Sequence, residues 1–394
     1  MTHLTKEASI SLANIAIRLL LSFCLLFSCS AYAEQSLIVE PDMGRAPILQ
    51  AISHAKTSVD LVLYGFTDEA FADALIHAKN QGKNVRVLLQ HHPYKTESEN
   101  EPIIQTLQQG DINLTWPDGD YKLTHQKTFV FDDATAIVMS FNLTHSTFKN
   151  ERNFALSITD PEIVKEIDEV FTQDLQHKKM NVTQSDLVWS PNNSRAKILN
   201  LIHSAHHTLD MYAEGLSDYE VVGALAKAAK SGVTVRIITS EKPNQTYVDK
   251  KADYLKRAGV TIAYDKHYYI HAKVIIVDQT TAMIGSINFT RPSINDNREL
   301  AVITHNPAVL KPLLATFTYD WQDTNPTTAK LTQHAPDLTL LAKNLKQLMR
   351  LTKTQHHQTH KKRKSIEAML RTTVGQTDLP TRNRKKYYKY SDYL

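Results

Sequence analysis

His125-Gln-Lys127-Thr-Phe-Val-Phe-Asp132 decides how this chain is read, because it returns as His271-Ala-Lys273-Val-Ile-Ile-Val-Asp278 with the same spacing. A Ser and an Asn follow each copy at matching offsets, Ser140 and Asn142 in one, Ser286 and Asn288 in the other. Residues two apart in a strand share a face, so His125 and Lys127 point one way, as do His271 and Lys273. Asp132 and Asp278 stand at odd parity from their histidines. They are expected to face away as structural groups, orienting a neighbour or pairing with a base of the other half. Ser140 with Asn142, and Ser286 with Asn288, again share a face where the next strand ends, and they offer neutral hydrogen-bond donors.

The repetition extends well beyond these segments. Ala55, Asp60, Gly65, Asp68, Ala74-Leu75, Gly82 and Val85-Arg86-Val87 recur as Ala205, Asp210, Gly215, Asp218, Ala224-Leu225, Gly232 and Val235-Arg236-Ile237, at an offset of 150. The offset falls to 148 at Trp116/Tyr264 and to 146 at His125/His271, length changes that loops absorb. A period this long means duplicated domains, since solenoid repeats are shorter. Each half alternates helix and strand patterns. In the first, 47–56, 68–80, 101–109 and 161–175 read as helices, and 58–64, 85–90, 112–116, 127–131 and 134–140 as strands. Continuous apolar strands alternating with helices predict an α/β fold, each lobe a mostly parallel sheet flanked by helices. The expected divisions are a signal segment 1–33, a first lobe 34–180, a second lobe 181–324 and a basic extension 325–394.

Composition bounds the chemistry. Of 394 residues, 42% are hydrophobic and 22% charged, as in ordinary globular proteins. The net charge of +4 is unevenly spread. Residues 331–394 hold 14 Lys and Arg against 4 Asp and Glu, leaving 34–330 at −7. Lys6 and Arg18 precede the apolar run 19–27, and Ala31-Tyr-Ala33 has the small-x-small form of a cleavage site, so a secreted or periplasmic protein beginning at Glu34 is expected. Both cysteines, Cys24 and Cys29, lie in that segment. The remainder has no thiol, which excludes disulfides, cysteine nucleophiles and thiolate metal sites. In the extension, 337–352 has the pattern of an amphipathic helix, and basic clusters with interleaved tyrosines suit an anionic bilayer or a nucleic-acid backbone.

A phosphodiester can be cut by two histidines, one attacking phosphorus and one donating a proton, while two lysines carry the added negative charge. On these residues the chain resembles the phospholipase D superfamily, whose signature H-x-K-x4-D-x6-G-S-x-N occurs twice per active site. The copy from His271 to Asn288 matches throughout, with Gly285 in place, whereas the first has Met139 where Gly is expected. A side chain there would narrow the phosphate pocket or shift Ser140. The resemblance covers about 36–323 and not the extension.

The resemblance implies two lobes related by a pseudo-twofold axis, with the motifs meeting between them. It implies a phosphohistidine intermediate and lysine, Asn and Ser ligands for the non-bridging oxygens (Lys127, Lys273, Asn142, Asn288, Ser140 and Ser286). It further implies no metal and no cofactor, and a monomer, because one chain carries both motifs. Free histidine titrates near pH ~6.5, so a neutral and a protonated copy can coexist. The family places a polar residue 11 beyond the motif Asn, here Asn153 and Glu299. If each supports the histidine of its own half, the carboxylate makes His271 the proton donor and leaves His125 as nucleophile.

Other signals are weaker. His91-His92 follow a strand in a loop, and Tyr64, Tyr94 and Tyr121 are candidates for the cleft wall. His206-His207 read as surface residues, and His356 with His360 lack a third metal ligand. For the substrate, a phospholipase D releasing phosphatidic acid and a head-group alcohol stands first. A nuclease of the same superfamily and a transphosphatidylase resembling cardiolipin synthase are the alternatives, since all share the phosphodiester chemistry. The acidic body favours lipid over a polyanion. A non-enzymatic phosphate-binding protein is the remaining class.

Overall fold

Asp132 and Asp133 have φ of 54° and 53°, and Asp278 and Gln279 have 48° and 60°. Two consecutive left-handed residues make the tight turn whose twist suits adjacent antiparallel strands. The motif strand Thr128–Phe131 therefore folds straight back as Thr135–Met139, and Lys273–Val277 as Thr281–Gly285. In this computed structural model, residues 34–94, 98–117, 119–240 and 246–324 are described. The expected signal segment and basic extension, with its helix over 337–352, lie outside the described residues.

The strands in chain order are β1 (Gln35–Glu40), β2 (Ser58–Leu63), β3 (Asn84–Leu89), β4 (Asn113–Thr115), β5 (Thr128–Phe131), β6 (Thr135–Met139) and β7 (Glu151–Ile158), then β8 (Leu187–Ser190), β9 (Thr208–Ala213), β10 (Thr234–Ser240), β11 (Thr261–Asp265), β12 (Tyr269–Ile270), β13 (Lys273–Val277), β14 (Thr281–Gly285) and β15 (Glu299–Thr304). One sheet runs β1-β7-β6-β5-β2-β3-β4, and the other β8-β15-β14-β13-β9-β10-β11. The order is the same in both, as duplication requires.

The strand directions correct the expected mostly parallel sheet. Within each half, among the described strands, parallel pairing is confined to β2–β3–β4 and β9–β10–β11. The pairs β1–β7, β7–β6, β6–β5 and β5–β2 are antiparallel, as are their counterparts. Continuous apolar runs report burial on both faces, and a tight hairpin overrides any inference from them about direction. Alternate residues of the motif strands enter different cores. Phe129 and Phe131 join a core confined to the first half, and Ile275 and Val277 one confined to the second. Val130, Val274 and Ile276 join a third core to which both halves contribute, with Phe154, Trp189 and Tyr212. That shared core holds the halves face to face.

Met139 and Gly285 occupy matching positions with different demands. A Cβ on Gly285 would lie 2.3 Å from the Leu300 carbonyl oxygen and from Ala301 Cα, so no side chain fits. Met139 is fully buried in the apolar core of the first half. The expected intrusion into a phosphate pocket is therefore corrected: the side chain packs against core residues instead.

Among the described residues, backbone crosses between the halves at two places, and each carries a motif histidine. Parallel pairing of β12 with β7 sets the amides of His271 and Ala272 on the Arg152 carbonyl, at 3.2 and 3.1 Å. Thr124 bridges Arg298 in parallel, and the His125 amide donates to the Arg298 carbonyl at 2.9 Å. Both arginines are buried and cross back. Arg152 forms a forked pair with Asp320 at 2.8 and 3.0 Å, and Arg298 with Asp174 at 2.8 and 3.0 Å. Asp174 ends the helix Pro161–Leu175, and Asp320 lies in Pro307–Thr324, so each half anchors the other's histidine-bearing seam. The Pro161–Leu175 helix starts where Asp160 accepts from the amides of Glu162 and Ile163, a standard N-cap.

Candidate active site

The ends of eight strands converge on the cleft between the halves: β2 and β9 finish there, β5 and β13 begin, β6 and β14 finish, and β7 and β15 begin. His125 and Lys127 precede or open β5; His271 and Lys273 do the same for β13. Lys273 Nζ donates to the Ser140 carbonyl at 3.2 Å, which joins the second motif to the first. Both lysines are fully buried.

Each histidine takes its Nδ1 partner from the opposite half. His125 Nδ1 lies 2.9 Å from Glu299 Oε2, and His271 Nδ1 lies 3.2 Å from Asn153 Oδ1. This overturns the premise that each partner serves its own half, and with it the derived assignment of His125 as nucleophile and His271 as donor. The physical reason is the crossed backbone pairing, which brings β7 beside His271 and β15 beside His125. Asn297 Nδ2 donates to Glu299 Oε1 at 3.1 Å and holds that carboxylate in place.

The serines are also corrected. Ser140 Oγ donates to Asn153 Oδ1 at 2.8 Å and accepts from the Phe154 amide at 3.0 Å. Ser286 Oγ donates to the Leu300 carbonyl at 3.3 Å and accepts from the Leu300 amide at 3.2 Å. Both are fully buried against β7 and β15, so the hydroxyls expected to bind phosphate are spent on the sheet. Ser140 acts instead on the Asn153 side chain. Asn142 and Asn288 remain at the cleft, Asn142 Oδ1 accepting from the Gly65 amide at 3.1 Å.

Asp132 and Asp278 lie at the far end of their strands, roughly 17 Å from the lysines by strand rise. Asp132 accepts from the amides of Lys56, Thr57 and Ser58 within 2.7–3.0 Å, and Asp278 from those of His206, His207 and Thr208 within 2.8–2.9 Å. As their odd parity predicts, they face away from the histidines and lysines and take no place among the catalytic groups. They close the hairpin onto the loop before the neighbouring strand, and those amides hold Asp132 down to about 2 against the opposing effect of burial.

The cleft also holds groups that the motif does not announce. Glu214 follows β9 at the position matching Tyr64, 150 residues apart. Glu214 Oε2 is 2.8 Å from Lys273 Nζ and 3.7 Å from His271 Nε2, and accepts from Asn288 Nδ2 at 3.0 Å. In the first half, the Tyr64 ring packs edge-on to His125 at 4.6 Å, and Lys127 Nζ stands 5.1 Å from its centroid. Lys127 Nζ donates to the His125 carbonyl at 2.6 Å. Glu151 Oε2 accepts from Asn153 Nδ2 at 3.1 Å and reaches within 3.8 Å of His271 Nδ1. Of the other tyrosines, Tyr94 is exposed with its amide on the Tyr64 hydroxyl, and the Tyr121 ring lies 5.2 Å from the Arg298 guanidinium. His91 stacks on His92 and Trp116, outside the catalytic cluster.

Burial and the shared positive charge set the titration. Burial, then Lys127, holds His125 below its ordinary value, with Glu299 pulling the other way. Burial, then Lys273, pushes His271 well below, opposed by Glu214. Burial, then Lys273, also drives Lys127 well below the usual lysine range. Burial alone would raise Glu214, but Lys273 and His271 keep it well below the carboxylate range, so it stays ionised. Such a cluster is built to receive a compact anion.

Residues 48–175 and 198–321 match the family described as "Cardiolipin synthase, PLD-like domain". The mitochondrial cardiolipin hydrolase of Danio rerio is 27% identical over 140 residues, 35% of this chain and 61% of that protein. A phospholipase D of Rickettsia felis is 33% identical over 125 residues, 32% of this chain and 60% of that one. This chain thus spans about three-fifths of the length of these curated relatives. The structure of phosphatidylserine synthase from Haemophilus influenzae superposes with a TM-score of 0.59 at 13% identity, covering 74% of this chain and 86% of that one, a likeness of fold.

Proposed function

The chain belongs to the phospholipase D-like family, and from that premise we propose that it is a phosphodiesterase acting on phospholipids, releasing phosphatidic acid and a head-group alcohol. The observation that carries the reading is the crossed pairing: two histidines, two buried lysines and two Asn amides gathered in one cleft, each histidine fixed at Nδ1 by the opposite half. Nδ1 fixation leaves both Nε2 atoms for chemistry.

His271, backed by an amide and pushed well below its ordinary pKa, is the nucleophile. His125, backed by the Glu299 carboxylate, is the proton donor. Nε2 of His271 bonds to phosphorus as the bond to the head-group oxygen breaks, and His125 passes its Nε2 proton to the leaving alkoxide. Water then attacks the phosphohistidine, His125 takes its proton, and His271 is released. Lys127 and Lys273 carry the charge on the non-bridging oxygens, the preorganised electrostatic contribution that dominates such transfers. Family members named for synthesis make an alcohol acceptor in place of water the second reading. Export through residues 1–33, and bilayer attachment through the basic extension, belong to the same proposal.

The test offers the protein phosphatidylcholine or cardiolipin vesicles and plasmid DNA in parallel, with and without EDTA. Head-group release that survives EDTA, without nicking, supports the reading. Nicking alone replaces it with a nuclease, and loss with EDTA removes the metal-free route. A phosphoenzyme trapped at short times should carry its label on His271; label on His125 reverses the two roles.

A further inference from the structure

Glu214 stands where the first half has Tyr64, and what it does rests on the phosphodiester reading above. One of its oxygens, Oε2, collects Lys273 Nζ at 2.8 Å, Asn288 Nδ2 at 3.0 Å and His271 Nε2 at 3.7 Å. Its other oxygen accepts from the Tyr269 hydroxyl at 3.0 Å. The first three are groups that the mechanism assigns to the phosphate and its phosphorus. A negatively charged oxygen therefore already sits among the donors of the second half-site.

The first half has no equivalent. Among the described residues, Lys127 has the His125 carbonyl and the Tyr64 ring face but no carboxylate within ion-pair distance. The Asn side chains differ in the same sense. Asn142 Oδ1 accepts from the Gly65 amide, while Asn288 Oδ1 is buried without a partner and its amide is turned toward Glu214. Leaving a buried acceptor unpaired costs free energy, which is offset here by the charge-assisted bond to the carboxylate.

We propose that Glu214 is a tethered anion seated in the phosphate position of the second half-site, which the substrate phosphate must displace from Lys273 and Asn288. The carboxylate and a phosphoryl oxygen want the same donors, and two like charges at contact distance repel, so they exclude one another. Phosphate enters over Lys127, which among the described residues has no carboxylate at ion-pair distance. Glu214 swings away on its side chain, with Tyr269 as the partner nearest to hand. When the phosphomonoester leaves, Glu214 returns to Lys273 and opposes rebinding.

The experiment titrates inorganic phosphate into the full chain by calorimetry, for the wild type, Glu214→Gln and Glu214→Tyr. In parallel it measures hydrolysis of bis(p-nitrophenyl) phosphate. Both variants should bind phosphate about tenfold tighter or more, with KM falling in step. Should Glu214→Gln fail to fold, as read by near-UV circular dichroism, Glu214→Tyr carries the test with the residue that the first half already holds there. Phosphate affinity unchanged or weakened in the folded variants overturns the proposal. A fall in kcat at constant KM also overturns it, and makes Glu214 a positioning group for Lys273. Tighter phosphate binding in a protein that hydrolyses no diester keeps the tethered anion and removes the proposed function. Hydrolysis with unchanged phosphate affinity does the opposite.

Discussion

The two half-sites descend from one pattern and carry opposite electrostatics. Around Lys127 the first half sets an aromatic ring, and its histidine leans on a carboxylate. Around Lys273 the second half sets a carboxylate, and its histidine leans on an amide. The second half of the chain thus supplies both of these acids, Glu299 behind the imidazole of the first half-site and Glu214 in front of the lysine of the second. Duplication supplies identical nucleophile and acid; catalysis needs them different. The difference is written in the supporting residues, Glu299 against Asn153 and Tyr64 against Glu214, and not in the motifs themselves.

The most severe break of this comparison is removal of each imidazole. With bis(p-nitrophenyl) phosphate, whose leaving group departs without a proton, His271→Ala should lose about 10⁴-fold in rate and form no phosphoenzyme. His125→Ala should still release one equivalent of p-nitrophenol and accumulate label on His271. A burst in His271→Ala and none in His125→Ala, measured by stopped flow, would exchange the roles.

The crossed arginine pairs offer the next largest effect. Asp320→Ala strips the forked pair from buried Arg152 and leaves it Asp42 and the Glu40 carbonyl, and should destabilise by about 3 kcal/mol in urea unfolding, with Asp174→Ala close to it. A loss under about 1 kcal/mol for both would mean that these pairs do not hold the seam.

Exchange of the histidine supports comes third. His125 must hold its proton and His271 must be free of one, so kcat/KM on lipid vesicles should rise with pH as His271 loses its proton and fall as His125 does. Both groups lie below their ordinary values, so the optimum falls on the acid side of about 6.5. Glu299→Gln removes a group that raises His125; the falling limb moves to lower pH and the rate at neutral pH drops about 10²-fold. Asn153→Asp adds a carboxylate beside His271 and should move the rising limb to higher pH. Limbs that stay fixed in both variants would separate these residues from the titrations.

The smallest effect tests the hairpin aspartates. Asp132 is held to about 2 in the fold against about 3.9 unfolded, so its contribution is present above about pH 4 and lost as pH falls toward 2. Asp132→Ala and Asp278→Ala should each lose about 1 kcal/mol at neutral pH by thermal melting, with kcat per folded molecule retained. A collapse of kcat at full stability would give them a part in the chemistry.

The repeated H-x-K segments made His125, Lys127, His271, Lys273, Asn142 and Asn288 findable from sequence, because spacing along a strand survives duplication. Parity also turned Asp132 and Asp278 away from the cleft. Strand direction was not legible, since β5 and β13 are buried on both faces and apolar beyond their first residues. Nor was the crossing of Glu299 and Asn153, because sequence offset says nothing about which half a side chain meets in space. The Ser140 and Ser286 hydroxyls are covered by β7 and β15, and that coverage comes from strand pairing distant in sequence. Glu214 was within reach: laying Gly215 over Gly65 puts it directly on Tyr64, and a carboxylate replacing an aromatic beside the motif lysine was the signal.

The seams also bear on how the protein can move. Pulling the halves apart would strip β12 from β7, detach both histidine amides from the arginine carbonyls and break two buried guanidinium forks at once. Turnover by a clamshell hinge would dismantle the reaction centre with every opening. Entry and exit must therefore use the mouth of a fixed cleft, and any gating falls to single side chains.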